Sequence, residues 1–307
     1  MQTALGKKNM VKINFDFSDH LTSHNQIWRI VLGLLSIFVI YGTTISTFFY
    51  GLEYLGFNAK LVVQGSSPEN LALLLLSFFP IWVGLAIVNK VIHKRPLQAL
   101  YGSTYTINWR HFKTGAIFLI TILAVSEILS QIYFAVTGTP SYSANMIMNL
   151  RIWVLWLLPM SAALLIQIGA EELVFRGYLL QTIRARGGNI FWAAVVPSSL
   201  FGWGHFDPET YGINAYFYVL HTTVLGIILC LVTLRLGNLG AALGIHFANN
   251  ALSCFVLGVS GELNGMALFD WQIDQKSPLI TLSMIVYVVL MVVIYNIWTR
   301  KYFTSQT

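Results

Sequence analysis

Glutamates, histidines and an asparagine stand at helix-like spacings in the second half of this chain. In the run from Glu171 to Arg176, two adjacent glutamates precede an arginine. On a helix, Glu172 and Arg176 lie one turn apart and can pair, whereas Glu171 points about 100° away. One carboxylate is then neutralised while the other stays available for proton transfer, as a general base must be.

Two further patterns place a histidine four residues from a partner. Phe201 precedes His205, and His246 precedes Asn250, so that His246 and Asn250 share a helix face. A carboxylate and a histidine can activate a water molecule, and a histidine with an amide can stabilise an oxyanion. The three patterns together therefore indicate amide hydrolysis.

Each pattern also fits a structural interpretation. The glutamates and the arginine can form a buried ion network, His205 can be an interface residue at a helix end, and His246 and Asn250 can hydrogen-bond across a helix interface. Ionisable groups inside apolar segments are costly, however, and most of them are functional. No apolar segment needs such a set of residues for packing alone.

The turn at Gly187-Gly188 predicts that two of these residues lie at the same height. Glu171 and His205 are each 17 residues from Gly188, on opposite sides of it. Two antiparallel helices that leave one turn place such residues about 25 Å along each helix. We expect Glu171 and His205 to face each other.

The composition indicates the elements that must position these residues. Of 307 residues, 56% are hydrophobic and 10% are charged, whereas soluble domains average about 25% charged residues. The net charge of +6 does not indicate a nucleic-acid partner, because Lys and Arg lie in the short connections between apolar blocks. Cys230 and Cys254 lie inside apolar blocks, so no disulfide framework is implied.

The apolar blocks predict an all-α polytopic bundle of about eight membrane-spanning helices. A spanning helix needs about 20 apolar residues. The blocks cover residues 27–49, 70–92, 112–137, 151–183, 190–206, 215–235, 239–258 and 278–298. We expect one domain over residues 1–307, with a core at 150–258 that carries the three patterns.

Basic residues predict the orientation of this bundle in the cell membrane. Every second connection is rich in them, starting with the N-terminal tail, and the intervening connections are poor in them and partly acidic. Basic residues favour the cytoplasmic side, so both termini should be cytoplasmic. The residues that carry this argument include Lys7, Lys8, Lys12, Lys90, Lys94, Arg95, Arg110, Lys113, Arg184, Arg186, Arg235, Arg300 and Lys301.

The three patterns together resemble the signatures of the CPBP family of CAAX-protease and bacteriocin-processing endopeptidases, also called Abi proteins. The family's E-E-x-x-x-R, F-x-x-x-H and H-x-x-x-N/D signatures occur here in order, within residues 150–258. An eight-span chain is similar to the CAAX prenyl endopeptidases of this family. The first three spans and the last one carry no family signature.

The resemblance implies an intramembrane, glutamate-dependent endopeptidase. Glu171 with His205 would activate the water, and Glu172 with Arg176 would hold the first carboxylate in place. The substrate would be a membrane-associated peptide or a lipidated protein. A prenylated C-terminus, a peptide pheromone and a bacteriocin leader all stay open.

The resemblance also implies an oxyanion site and leaves the cofactor open. His246 and Asn250 would form the oxyanion pocket. Zinc is possible, with Glu171, His205 and His246 as its ligands and a water in the open position. The H-E-x-x-H motif of zinc proteases is absent, so we favour catalysis without a cofactor.

Some features of the sequence also suggest other functions. A rhomboid-like serine protease is suggested by the G-x-S-G run at residues 258–261, but no histidine follows His246 to serve as its base. A non-catalytic membrane binding protein, an immunity factor or a transporter could reuse the same polar residues. Glu127 and His221 match no signature, and each fits either an interface or a substrate channel.

Overall fold

The computed structural model describes residues 24–138, 144–259 and 263–304. Lys7, Lys8 and Lys12, which support the predicted orientation, and Ser260 of the serine-protease pattern lie outside these residues. The α-helices are α1 Ile27–Tyr54, α2 Ala59–Gln64, α3 Pro68–Leu76, α4 Phe79–Val91, α5 Trp109–Thr137, α6 Leu150–Glu172, α7 Leu180–Ala185, α8 Ile190–Trp203, α9 Pro208–Tyr211, α10 Asn214–Leu236, α11 Gly240–Ala251 and α12 Pro278–Thr304. A short 3₁₀-helix covers Leu97–Tyr101.

The predicted polytopic helical bundle is confirmed, because each of the eight predicted apolar blocks is mainly helical. In the described part of the chain, six helical runs are long and apolar enough to cross a membrane. They are Ile27–Tyr54, Pro68–Val91, Trp109–Thr137, Leu150–Ala185, Asn214–Leu236 and Pro278–Arg300. The helices α8 and α11 are shorter, with 14 and 12 residues, so the count of eight spans stays a prediction.

Two stretches of π-helix interrupt the motif-bearing segments. The first, Leu173–Leu179, follows Glu172 directly and joins α6 to α7. The second, Leu252–Val256, follows α11. A π-turn widens the helix and changes the direction of its side chains, and such turns are frequent at functional sites.

The turn chemistry of the core agrees with its sequence. Asn149 and Asn189 cap α6 and α8, each accepting a hydrogen bond from a backbone N–H of the first turn. Gly187, between α7 and α8, has a φ of 75°, which favours glycine. The predicted Gly187-Gly188 turn is therefore present.

Close helix packing brings α11 into the middle of the bundle. A methyl group added to Gly115 of α5 would collide with the backbone carbonyl of Ala241 in α11, and one added to Gly244 would collide with that of Phe112. Small residues let helix backbones approach in this way. Because α11 also packs against α6 and α10, its polar face points toward the run that carries the glutamates.

A small sheet, which the sequence did not predict, joins loops at one end of the bundle. Its strands are β1 Ala144–Met146, β2 Leu257–Val259 and β3 Phe269–Trp271, in the order β1-β3-β2. β3 pairs antiparallel to β1 and parallel to β2. Strands of three residues are too short for an alternating pattern to be recognisable.

Candidate active site

The predicted ion pair forms at the junction between α6 and the first π-helix. Glu172 and Arg176 are fully buried, and Arg176 Nη1 lies 2.8 Å from Glu172 Oε1. The guanidinium also lies over the ring of Phe201, 4.7 Å from its centroid. A buried charge without a partner is very costly, so the ion pair and the ring contact compensate for the burial of both charged side chains.

His246 of α11 lies between the two glutamates. Its Nδ1 lies 2.7 Å from Glu172 Oε1, and its Nε2 lies 3.4 Å from Glu171 Oε2. Glu172 accepts hydrogen bonds from both Arg176 and His246, so its role extends beyond the predicted support of Glu171. The first and third sequence patterns therefore meet at one place.

Gln167 is a member of this cluster that the sequence reasoning missed. Its Nε2 donates to Glu171 Oε1 at 2.6 Å, and its Oε1 accepts from Asn250 Nδ2 at 3.3 Å. Asn250 in turn accepts a hydrogen bond from Asn249. The available signal was an amide one helical turn before Glu171 in an apolar run, but Gln167 belongs to none of the three sequence patterns.

His205 lies beside the cluster and is not hydrogen-bonded to it. It follows the end of α8, and its Nδ1 donates to the backbone carbonyl of Phe201 at 2.8 Å. Since a carbonyl only accepts, Nδ1 carries the hydrogen and Nε2 has a free lone pair when the ring is neutral. In the described residues no hydrogen bond joins His205 to Glu171, so their sharing of a water stays a prediction.

The ring of Phe201 separates the two histidines. Its centroid is 4.6 Å from that of His205 and 5.8 Å from that of His246, and both contacts are edge-to-face. Phe201 also packs edge-to-face against Phe175. The second sequence pattern thus joins the other two through an aromatic ring.

The contact between His246 Nε2 and Glu171 Oε2, which lie 3.4 Å apart, needs a hydrogen between the two atoms. His246 donates through Nδ1 to Glu172 Oε1. A lone pair on Nε2 would face a lone pair of the Glu171 oxygen, whereas an N–H or O–H at this place would make a hydrogen bond.

The residues suggested as zinc ligands do not converge on one point. Across residues 24–138, 144–259 and 263–304, no three His, Cys, Asp or Glu side chains are grouped as ligands of one metal ion. His205 faces Phe201, while His246 faces the glutamates. The arrangement of these three side chains therefore does not fit a single zinc ion.

Comparison with known proteins assigns the part of the chain that holds these residues. Residues 151–252 match the family model described as type II CAAX prenyl endopeptidase Rce1-like. This segment, the Rce1-like segment, is similar to that family. The resemblance that the three motifs indicated is thereby confirmed.

The chain is also similar to a Bacillus subtilis (strain 168) protein titled "Uncharacterized protein YyaK". The two are 28% identical over 184 residues, which span 59% of this chain and 59% of the relative. No solved structure matches. The Rce1-like segment runs from α6 to the start of the second π-helix and contains all three motifs.

Proposed function

We propose that this protein is an intramembrane endopeptidase that hydrolyses a peptide bond in a membrane-associated substrate, with Glu171 as the general base. One observation carries the proposal: two glutamates, a histidine, an arginine and two amides form a connected polar cluster inside an apolar bundle. The Rce1-like match over the same residues supports it.

Glu171 is held in an orientation that suits a base. Gln167 donates to Oε1, which leaves Oε2 directed toward His246 and an incoming water. Glu171 would take a proton from that water as the oxygen attacks the substrate carbonyl carbon. The protonated Glu171 would then give the proton to the leaving amine, so that the base is restored.

His246 and Asn250 supply donors for the oxyanion of the tetrahedral intermediate. Protonated His246 can donate through Nε2, while the Glu172–Arg176 pair holds its Nδ1. Asn250 Nδ2 uses one hydrogen on Gln167 and has a second one to offer. Donors held before the reaction stabilise the developing charge without reorganisation.

His205 is assigned to the water. Its Nε2 has a free lone pair because Nδ1 is committed to the Phe201 carbonyl. It can accept one hydrogen of the attacking water while Glu171 accepts the other. For this role the side chains of His205 and Glu171 must move slightly closer to each other past the Phe201 ring. Catalytic contacts often shorten in this way when substrate binds.

The test is cleavage of defined peptides by the purified full-length protein in lipid nanodiscs. Lipidated and unlipidated versions of one peptide library are compared by mass spectrometry. We expect cleavage that Glu171→Gln abolishes and that Glu53→Gln, an exposed glutamate on α1, leaves unchanged. Cleavage that persists in Glu171→Gln would overturn the assignment, and absence of cleavage with every peptide would favour a non-catalytic binding protein.

The orientation of the bundle is part of the proposal. We infer that both termini and the connection from Lys90 to Lys113 lie in the cytoplasm, because basic residues concentrate there. Single cysteines at positions 8, 98 and 305, introduced after Cys230 and Cys254 are replaced by alanine, should react with a membrane-impermeant reagent only in inverted vesicles. Labelling of any of the three from the outside alone would contradict this topology.

A further inference from the structure

A cavity of about 410 Å³ lies between α5 and α12, apart from the catalytic cluster. His221 of α10 also lines it, as do Trp271, Ile273 and Gln275 of β3 and the segment that follows. Most lining side chains are apolar, and Leu129 and Leu282, which are exposed on α5 and α12, place its rim on the outer surface of the bundle. Because both helices are long and apolar enough to span a membrane, we expect this surface to face lipid.

Within the described residues, three polar atoms of the cavity walls lack a hydrogen-bond partner. They are His221 Nδ1, Gln275 Nε2 and Tyr287 Oη, and each is buried. The rings of His221 and Tyr287 lie 4.9 Å apart, so two of these side chains meet at one place. Buried polar groups are nearly always hydrogen-bonded, so an unpaired set around one cavity points to a bound partner.

The hydrogen-bonding capacity of these atoms indicates which kind of ligand the cavity binds. A Gln Nε2 only donates, and a Tyr hydroxyl and a neutral His nitrogen can also donate, so the three suit an oxygen acceptor. The carboxylate of Glu127 also lines the cavity, where it accepts from Gln131 at 2.7 Å. A second carboxylate would be repelled there, so an uncharged carbonyl oxygen fits better than a fatty acid anion.

We propose that this cavity binds an uncharged membrane lipid with one hydrocarbon chain and an ester or amide carbonyl. The apolar walls hold the chain, and His221, Gln275 and Tyr287 bind the carbonyl end. Pockets for small ligands have this character, with a mostly apolar lining and a few convergent polar groups. The cavity volume lies within the usual range of about 300–1,000 Å³ for such pockets.

The lipid would lie close to the catalytic cluster without belonging to it. The ring of Tyr218 contacts both His221, at 6.2 Å, and His205, at 5.9 Å. The ring of Tyr218 therefore lies between His221 of the cavity wall and His205. Lipid binding at this place does not depend on peptidase chemistry, so the two proposals fail or succeed separately.

The experiment is photolabelling of the full-length protein in detergent with a monoacylglycerol ester that carries a diazirine on its chain. We expect saturable labelling that maps to α5 and α12. Unlabelled ester should compete, and the free fatty acid should compete at least tenfold less well. Glu171→Gln should label as the wild type does, because the catalytic glutamate is not part of the cavity.

Variants test the carbonyl contacts. Tyr287→Phe and Gln275→Leu keep the side-chain shape, and each should weaken labelling about three- to tenfold, the usual effect of losing one hydrogen bond. Tyr295→Phe is the matched control, because its hydroxyl is also buried and unpaired on α12 but lies outside the cavity. Ser126→Trp should fill the cavity and abolish labelling, with Ser126→Ala as its control.

Four outcomes would overturn the proposal. The first is labelling that does not saturate or that spreads over all exposed helix faces. The second is equal labelling of Tyr287→Phe, Gln275→Leu and the wild type. The third is equal competition by the fatty acid. The fourth is protection by a lipidated peptide and not by the free ester, which would assign the cavity to the lipid chain of a substrate.

Discussion

The inner helix α10 and the outer helix α1 are both apolar enough to span a membrane, yet α10 is largely buried inside the protein and α1 is largely exposed. The most apolar windows of the two helices have mean hydropathies of 2.2 and 1.9. In α10, 56% of that window is buried inside the protein, and in α1 only 17% is buried. α10 packs against α8, α11 and α12, whereas α1 packs mainly against α4. Hydropathy identifies a spanning helix but not its neighbours.

The polar groups of the two regions are satisfied in different ways. On α1, the hydroxyls of Thr43, Ser46 and Thr47 each bond to a backbone carbonyl of the same helix, four residues earlier. In the inner region, His246 bonds across helices to Glu172, and Asn250 to Gln167. A helix that faces lipid must satisfy its polar groups alone, whereas shielded helices can share them. Side chains from different helices can therefore combine into a reactive site only in the inner region.

The largest expected effect is loss of turnover, and its size should distinguish the roles of Glu171 and Asn250 in the inner region. Glu171→Gln should abolish turnover of a cleaved peptide, because a neutral amide cannot take the proton of the attacking water, while substrate binding persists. Asn250→Ala should retain activity about 10²–10³ lower than that of the wild type, since loss of one oxyanion donor typically has this effect. Turnover and peptide affinity are measured on protein of confirmed fold.

Thr43→Ala on α1 is the control for this pair, because its hydroxyl bonds only within its own helix. It should leave turnover unchanged. Equal and total loss in both Glu171→Gln and Asn250→Ala, with normal folding, would contradict the separate roles and favour a metal or structural function.

The next effect concerns packing. Leu164→Ala on α6 should lower the free energy of unfolding by about 2–5 kcal/mol, because Leu164 is fully buried and its truncation leaves a cavity. Leu35→Ala on α1 should change it by about 0.5 kcal/mol or less, because Leu35 is exposed. Unfolding titrations in mixed micelles measure both values. Similar losses would show that α1 is covered, for example by a second subunit.

A smaller effect is the pH dependence of stability that His93 should cause at the contact between the outer and inner regions. His93, beyond the end of α4, donates through Nδ1 to the His24 carbonyl and accepts through Nε2 from the Tyr178 hydroxyl. Burial, with nearby Arg95, lowers the pKa of His93 from 6.5 to about 4. The unfolded chain therefore binds a proton first as the pH falls, and stability present above about pH 6.5 is lost progressively toward pH 4.

Thermal unfolding of the wild type between pH 7.5 and pH 4.5 measures this loss. His93→Gln keeps hydrogen-bonding groups without the titration, so the part of the pH dependence that His93 causes should disappear. An unchanged pH profile in His93→Gln would refute the assignment.

The smallest expected effect is that of metal removal. A Glu–His pair needs no ion to activate water, and His205 and His246 face different partners. Exhaustive chelation should therefore leave peptide cleavage within about twofold, with elemental analysis as the parallel measurement. Loss of activity that added zinc restores would reverse this expectation, and Glu171, His205 and His246 would then be the ligands to examine first.

The sequence determined the class of fold and the pairing that lies within one helix. Apolar blocks located the helices, because a lipid environment leaves a chain few other ways to satisfy its backbone. The four-residue spacing from Glu172 to Arg176 predicted their ion pair, because helix geometry alone fixes that distance. The three patterns also predicted the family resemblance that the Rce1-like match confirms.

Only the tertiary structure decided the contacts between helices. His246 meets both glutamates because glycines let α5 and α11 approach closely and α11 packs on α6, and no spacing along one helix encodes that geometry. The bond from Asn250 to Gln167 also depends on this packing. The cavity of His221 and Tyr287 likewise needs helices α5, α10 and α12 together. The bonds of Gln167 to Glu171 and of His205 to Phe201, by contrast, each span four residues within one helical turn. Local sequence fixes which groups share a helix face, and packing decides what that face meets.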